Sequence, residues 1–475
     1  MPPSAPWFRE RSDRAVSRRD LVRVGAAGIL GLTLPHCLAA AEKVGRRAAA
    51  KSVLVIYEQG GLSHMDTWDP KPEALADHRS PFKPIATNVA GMQFSELLPL
   101  TAKLADKLCV VRSMNHARAG ADAHPNGTQY ALSGSHPAAS ALTMPDIGSI
   151  TSQLIGTRCH YLPPYVMVPG NHEQAAETRH GFLPAGTKVF KTGGRDLADP
   201  TWKIDGLIPR SENQGDRLAD RGDLRSALDL RQASARPGTD VQGMDRFYDQ
   251  AFDMLTSPKV TDAFDLKKEP QKVRDAYGAG HRGACYLVGR KLIEAGVRFV
   301  TVDVRWPQLK DMPQGGNLNW DHHDHIYAKQ TCELPGATGA GAGRYGIAHW
   351  VMMGSVDRAY AALLTDLHER GLLAETLVCF VSEFGRTPKI NKAQGRDHWT
   401  HAYSIVFAGA GVRGGQVVGR TDREGGYVTD APYTPEDYAQ TIYAKLGIDR
   451  EKPLYTSSNR PIFFGHGGKP IPAVM

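Results

Sequence analysis

The 475-residue chain predicts an α/β protein built on one mostly parallel sheet with helices on both faces. Three observations lead there. Short apolar runs rich in β-branched residues recur, SVLVIY at 52–57, RFVTVDV at 298–304 and TLVCFV at 376–381, and read as buried strands. Segments with helical spacing alternate with them, the pattern of strand–helix–strand units. With 49 Gly and 31 Pro the chain is also rich in turns, which argues against a helical bundle and for long loops around a sheet.

In chain order, a short Arg/Ala linker leads into the strand at 52–57, which breaks at Gly60-Gly61 and so delivers the next side chains to the carboxyl edge of a sheet. Helical spacing covers 97–108, a second strand covers 108–112, and a helix at 126–132 stops at Gly134. Residues 184–270 are polar and charged, with helical fragments at 224–233 and 244–255, and read as an insertion or cap. An amphipathic helix at 284–295 precedes the strand at 298–304. A long helix at 349–370 feeds the strand at 376–381, which runs into Ser382-Glu383-Phe384-Gly385-Arg386. A strand at 403–408 and a helix at 435–446, with Thr434 as its N-cap, complete the pattern, and the tail reads as loop.

Hydrophobic residues make up 41% and charged residues 23%, a globular mixture, and no stretch offers the roughly 20 uninterrupted apolar residues of a membrane helix. The formal charge is +7, of which residues 1–41 hold +3, six Arg against Glu10, Asp13 and Asp20. No basic stripe interleaved with aromatics remains, which excludes a nucleic-acid footprint. Arg18-Arg19 stand before an apolar stretch at 24–34 and the small-residue cleavage pattern Ala39-Ala40-Ala41, so residues 1–41 read as a twin-arginine signal peptide. The expected partner during export is the twin-arginine translocase, and the destination is the periplasm or the extracellular space. That route carries folded proteins, which suits a metalloenzyme. Cys37 belongs to the signal, Cys109 and Cys379 sit in strand-like runs, and Cys159, Cys285 and Cys332 lack any zinc-binding spacing, leaving their disulfide state open.

The densest polar cluster is Trp320-Asp321-His322-His323-Asp324-His325. Neutral imidazole with carboxylate is the natural ligand set for zinc, manganese or iron, and Asp321 can pair with His323 or with His325. A second cluster is Ser382-Glu383-Phe384-Gly385-Arg386, a carboxylate at a strand's carboxyl end with an Arg close behind. A third is Gly395-Arg396-Asp397-His398-Trp399. Ser63, His64 and Asp66 follow the first strand, while His116 and His124 follow the second, the latter at a helix start suited to an anion. There the helix dipole disfavours the imidazolium, so a neutral His124 is expected. All these groups fall at strand ends.

The segments GGLSHMDTWDPK (60–71), EAGVRFVTV (294–302), SEFGRTPKIN (382–391) and GRDHW (395–399) resemble domain-of-unknown-function family 1501, exported bacterial proteins of the alkaline phosphatase and sulfatase superfamily. The resemblance covers about residues 45–465. It implies an alkaline phosphatase-like three-layer α/β/α sandwich with a mostly parallel central sheet and inserted loops. Within that superfamily pattern Glu383 takes a metal-binding Asp position and Phe384 that of a His ligand, while His124 falls where the nucleophile stands. Gln59, flanked by Glu58, resembles the first-strand Asp ligand in position. Asp321 with His325 or His323, and His398, resemble the remaining ligands.

The expectation is an exported hydrolase of phosphate or sulfate esters, acting on an anionic small-molecule or polysaccharide ester with a divalent ion, Zn, Mn, Ca or Mg. Asp321, His323, His325, Glu383, Asp397 and His398 are the candidate ligands. His124 is the attacking or proton-accepting group, Arg386 the anion's partner, and Ser63 a further catalytic candidate. The alternative is a non-catalytic envelope protein that binds sulfated or phosphorylated polysaccharide on the same fold.

Overall fold

A computed structural model of the chain describes residues 48–116, 118–170, 179–193, 196–204, 251–255, 257–304, 318–327, 345–465 and 467–475. The compact unit is Ala49–Met475. Its strands include β1 (Ser52–Tyr57), β2 (Leu108–Met114), β3 (Tyr165–Pro169), β4 (Phe190–Lys191), β5 (Phe299–Asp303), β6 (Thr376–Val381), β7 (Gly385–Arg386), β8 (His398–Trp399), β9 (Tyr403–Ala408) and β10 (Gln416–Val418). Eight of them form the central sheet in the order β10-β2-β9-β6-β1-β5-β3-β4. Only β9 runs antiparallel to its neighbours, β2 and β6. The mostly parallel sheet is therefore the observed one.

The strands are apolar throughout because both faces are covered. Alternate residues of one strand go to opposite cores: Leu54 and Ile56 of β1 pack with Val300, Val302 and Phe380, whereas Val53 and Val55 pack with Phe299, Leu377 and Cys379. On the first face lie α3 (His281–Glu294) and α4 (Ser355–Glu369), through residues such as Leu287 and Leu363. On the second lie α1 (His124–Ser133), α2 (Ile147–Ile155) and α5 (Pro435–Lys445), through Leu132, Ile150 and Ile442. Each aliphatic side chain so buried contributes about 1.5–3 kcal/mol. This is the three-layer arrangement.

Several boundaries differ from expectation for local reasons. The helix expected at 97–108 is a shorter 3₁₀ segment, Thr101–Lys107, and Asp357 of α4 accepts the Leu100 and Thr101 N–H groups at 2.8 Å each. Pro99 lacks an N–H to continue a helix upstream. The helix expected at 349–370 begins as a single π-turn, Trp350–Gly354, before α4. α5 starts on a capping box in which Thr434 and Asp437 exchange hydrogen bonds. Within the segment 184–270, expected as an insertion or cap, Phe190–Lys191 forms β4, which closes one edge of the sheet beside β3. The helical fragment expected at 224–233 and most of that at 244–255 lie outside the described residues, as do the signal expected at 1–41 and Cys332. The expected loop tail contains a hairpin, Leu454–Tyr455 with Pro461–Ile462. Cys109, Cys159, Cys285 and Cys379 are free, buried thiols. Among the described residues no helix is long and apolar enough to cross a membrane.

Candidate metal centre

β1 pairs with β5 on one side and β6 on the other, all three parallel, so their carboxyl ends emerge side by side and the loops that follow leave crevices at one edge of the sheet. Crevices of this kind are where open α/β sheets hold ligands. The turn at 318–325 comes in after β5, Glu383 follows β6, His124 opens α1 after β2, and the two-stranded ribbon β7/β8 sets Arg386 opposite His398. Two glycines allow this close approach. A Cβ at Gly60, where φ is +112°, would lie 2.4 Å from the Trp320 nitrogen, and one at Gly395 would lie 2.1 Å from the His323 carbonyl.

Asp321 is the hub. Its Oδ1 lies 3.0 Å from His323 Nε2, 3.0 Å from His398 Nε2, 3.1 Å from His124 Nε2 and 2.7 Å from Arg386 Nη2. His323 Nε2 and His398 Nε2 are themselves 3.0 Å apart. Each imidazole spends its other nitrogen on a group that only accepts. His124 Nδ1 meets Glu383 Oε1 at 2.7 Å, His323 Nδ1 meets Asp397 Oδ1 at 2.8 Å, and His398 Nδ1 meets the Asp122 carbonyl at 2.5 Å. These partners assign the protons to the Nδ1 atoms and turn three Nε2 lone pairs toward one carboxylate oxygen. His124 Nε2 is buried and makes no hydrogen bond. Lone pairs this close need a cation or added protons between them.

Ligand nitrogens about 2.0–2.1 Å from a tetrahedral zinc stand roughly 3.3 Å from one another, close to the separations seen here. Donor atoms of His124, Asp321 and His398 all lie within 4.8 Å of one another. The orienting partners are those of a built metal site, in which each ligating imidazole donates its second nitrogen outward. His323 is the outermost member, with 41% of its side chain exposed, against 5% for Asp321. The centre therefore opens on the His323 side.

The electrostatics follow from this packing. Burial would raise the Asp321 carboxyl, but contact with the His124, His323 and His398 imidazoles and the Arg386 charge hold it far below the usual carboxylate range. Burial likewise opposes ionisation of Glu383, and His124 together with the Gly60 N–H reverses that. His124 is raised above the ordinary imidazole value: burial lowers it, but Asp321 and Glu383 outweigh burial. The two carboxylates in contact with His124 act against the helix dipole that led to the expectation of a neutral imidazole. His398 goes the other way, lowered by burial and by Arg386 and His124, with only Asp321 opposing.

Several expected roles change. Glu383 stands behind His124 and not at the centre, since Oε1 also accepts the Gly60 N–H at 2.8 Å and Oε2 accepts the Ser382 hydroxyl at 3.2 Å. Asp397 serves in the same way behind His323. Arg386 is turned inward and not toward the opening where an anion would arrive. It is fully buried, and its donors go to Asp321 and to the carbonyls of Gly60, Gly61 and Arg396. Ser63 is buried and donates to Asp66 at 2.5 Å, in a network with Tyr327 and Arg396 outside the converging donors. Of the two alternatives His323 and His325, the structure brings in His323. His325 sits in the turn with φ 42°, its N–H on the Ala393 carbonyl. Phe384 walls the centre, its ring 4.5 Å from that of His398 and 5.2 Å from that of His124. Sequence reasoning missed the Asp122 carbonyl, which has no side-chain signature, and the buried cluster of Glu58, Arg282 and Trp320 beneath the turn.

The chain belongs to the family described as "Protein of unknown function (DUF1501)", whose model matches residues 50–475. No curated protein sequence matches it. Among solved structures it is similar to a phosphonate monoester hydrolase of Agrobacterium radiobacter, at 12% identity and a TM-score of 0.40 over 89% of this chain and 78% of that one. A phosphonate monoester hydrolase from Silicibacter pomeroyi gives 12%, 0.35, 89% and 76%. The PsFucS1 sulfatase from Pseudoalteromonas sp. gives 12%, 0.35, 92% and 73%.

Proposed function

We propose that this member of the DUF1501 family is an exported hydrolase of phosphate or sulfate esters, with one divalent cation held by His124, Asp321 and His398 and with His323 at the mouth. The observation that carries the reading is the set of three imidazoles, each with its Nδ1 proton spent outward, turned on the single oxygen of Asp321. An imidazole-rich set suits zinc and is a poor match for calcium or magnesium, which take oxygen ligands. When bound, such a cation acts as a Lewis acid on an ester oxygen and brings water toward a pKa near 7.

The chain's own residues supply the rest. Glu383 and the Asp122 carbonyl fix the tilt of His124 and His398, and the buried Phe384 ring keeps water from that side. His323, oriented by Asp397, is the exposed imidazole at the opening and is placed to hold or release a proton at Nε2. A divalent ion and Arg386 would balance the Asp321, Glu383 and Asp397 carboxylates, so an anionic ester is drawn by the ion itself and not by excess positive charge. One observation favours the second reading, a binding protein for sulfated or phosphorylated polysaccharide: Ser63, a further catalytic candidate, and Arg386, the expected anion partner, are both committed elsewhere.

Elemental analysis and turnover assays of the purified protein test both readings. The expected result is about one zinc per chain, lost from His124→Ala and His398→Ala, with hydrolysis in a panel of aryl phosphates and sulfates at the rate gain typical of zinc centres. Protein that takes up no metal rejects the centre. Metal-loaded protein that binds sulfated glycans without turnover selects the binding reading.

A further inference from the structure

We infer that Glu58 is a positioning residue for the metal centre, a buried carboxylate that grips the Asp321 turn from beneath and sets where Asp321 presents Oδ1. The inference rests on the metal-centre reading above. Glu58 follows β1 directly, and its N–H donates to the Val381 carbonyl at 2.9 Å, so its backbone is tied to the end of β6. Its side chain is buried at 2% exposure and turns toward α3, away from the converging imidazoles. Although it lies beside the position where the family resemblance implied a ligand, all its bonds go elsewhere. Oε1 accepts the Tyr286 hydroxyl at 2.7 Å, while Oε2 accepts the Trp320 indole N–H at 2.7 Å and pairs with Arg282.

Arg282 completes the grip. It is 1% exposed, donates through Nη2 to the Leu318 carbonyl at 3.1 Å and through Nε to Ser355 at 2.9 Å, and stands 5.4 Å from the Trp320 ring centroid. The Trp320 N–H donates to the Gln59 carbonyl at 3.0 Å. The turn is thus held at Leu318, at the Trp320 backbone and at the Trp320 indole, and the next residue is Asp321. A buried ion pair gains little over well-packed apolar side chains, so stability alone does not account for Glu58 and Arg282 here. A turn that must place one oxygen against three imidazoles does account for them.

Trp320→Phe tests this, because it keeps an aromatic ring in place and removes only the indole donor. Zinc affinity is measured by competition with a chromophoric chelator on the mature chain, beside Tyr286→Phe, which removes a hydrogen bond to the same carboxylate without touching the turn. Expected are a 10–100-fold weaker zinc affinity for Trp320→Phe and a change under about twofold for Tyr286→Phe. Should Trp320→Phe not fold, Glu58→Gln, which keeps the shape and breaks the Arg282 pair, is expected to show the same loss. Zinc binding at wild-type strength in the folded variant, or an equal loss in Tyr286→Phe, overturns the inference and leaves the metal centre standing. Wild-type protein that binds no zinc overturns the centre itself, and this inference with it.

Discussion

Replacing Asp321 by Asn tests the hub of the site with little change of shape. Asp321 is 4% exposed and Arg386 fully buried, and their Oδ1 and Nη2 atoms are 2.7 Å apart. Removing one partner of a buried pair costs about 3–5 kcal/mol, because the other charge stays buried and unpaired. The lower end applies here, since Arg386 keeps the carbonyls of Gly60, Gly61 and Arg396 and feels Glu383 nearby. The compact unit Ala49–Met475 has an unfolding entropy of roughly 0.9 kcal/mol per kelvin at the usual value per residue, so a loss of about 3 kcal/mol lowers Tm by about 3 °C. Calorimetry in excess chelator reads this term free of any contribution from metal. With zinc supplied, the same variant should lose more affinity than the roughly 10–100-fold of losing an outer partner. Adding Arg386→Met removes the stranded charge, so the double variant should be less destabilised than the two single changes together, by about 0.5–3 kcal/mol. A metal-free Asp321→Asn protein that melts within about 1 °C of wild type, or a double variant that is simply additive, refutes the reasoning.

Two other perturbations probe different links. Burial pushes the Asp146 carboxyl up to about 7 against the Arg179 N–H and charge. Its folded pKa thus exceeds the unfolded value, and its contribution is full below about pH 4 and lost as pH rises through 7. Asp146→Asn should remove up to about 4 kcal/mol of that decline, read from denaturant midpoints across pH 4–8, and parallel pH profiles for the two proteins would count against it. Replacing Arg18 and Arg19 by Lys should hold the protein inside the cell, seen by fractionation, and undiminished export would reject the twin-arginine reading.

The sheet was legible because strands buried on both faces are apolar throughout. The run at 403–408 is observed as β9 with the same bounds, and the first strand likewise as β1. The helix α2 and strand β3 were not singled out; Ser149, Thr151 and Ser152 interrupt the apolar pattern of α2, yet they are buried. At the site, the sequence indicated which chemistries gather at strand ends but not which acid touches which imidazole. Glu383 and Asp397 look like ligands in one dimension because each is a carboxylate near a histidine or an arginine. Only the three-dimensional distances put them behind His124 and His323. Arg386 looked free for the same reason, since its acceptors are three backbone carbonyls that leave no mark in composition.

That separation in the chain bears on how the centre forms. His124 is oriented from residue 383, His323 from residue 397 and His398 from the carbonyl of residue 122, so none of the three imidazoles is oriented by its own neighbours in sequence. The closest approaches run between segments just as remote, Gly60 against Trp320 and Gly395 against His323, and each works only where a side chain is missing. An unfolded chain therefore holds only Asp321 and His323 close together, and the metal's binding free energy falls mainly on the folded state. A centre of that kind is filled only after the sheet has assembled.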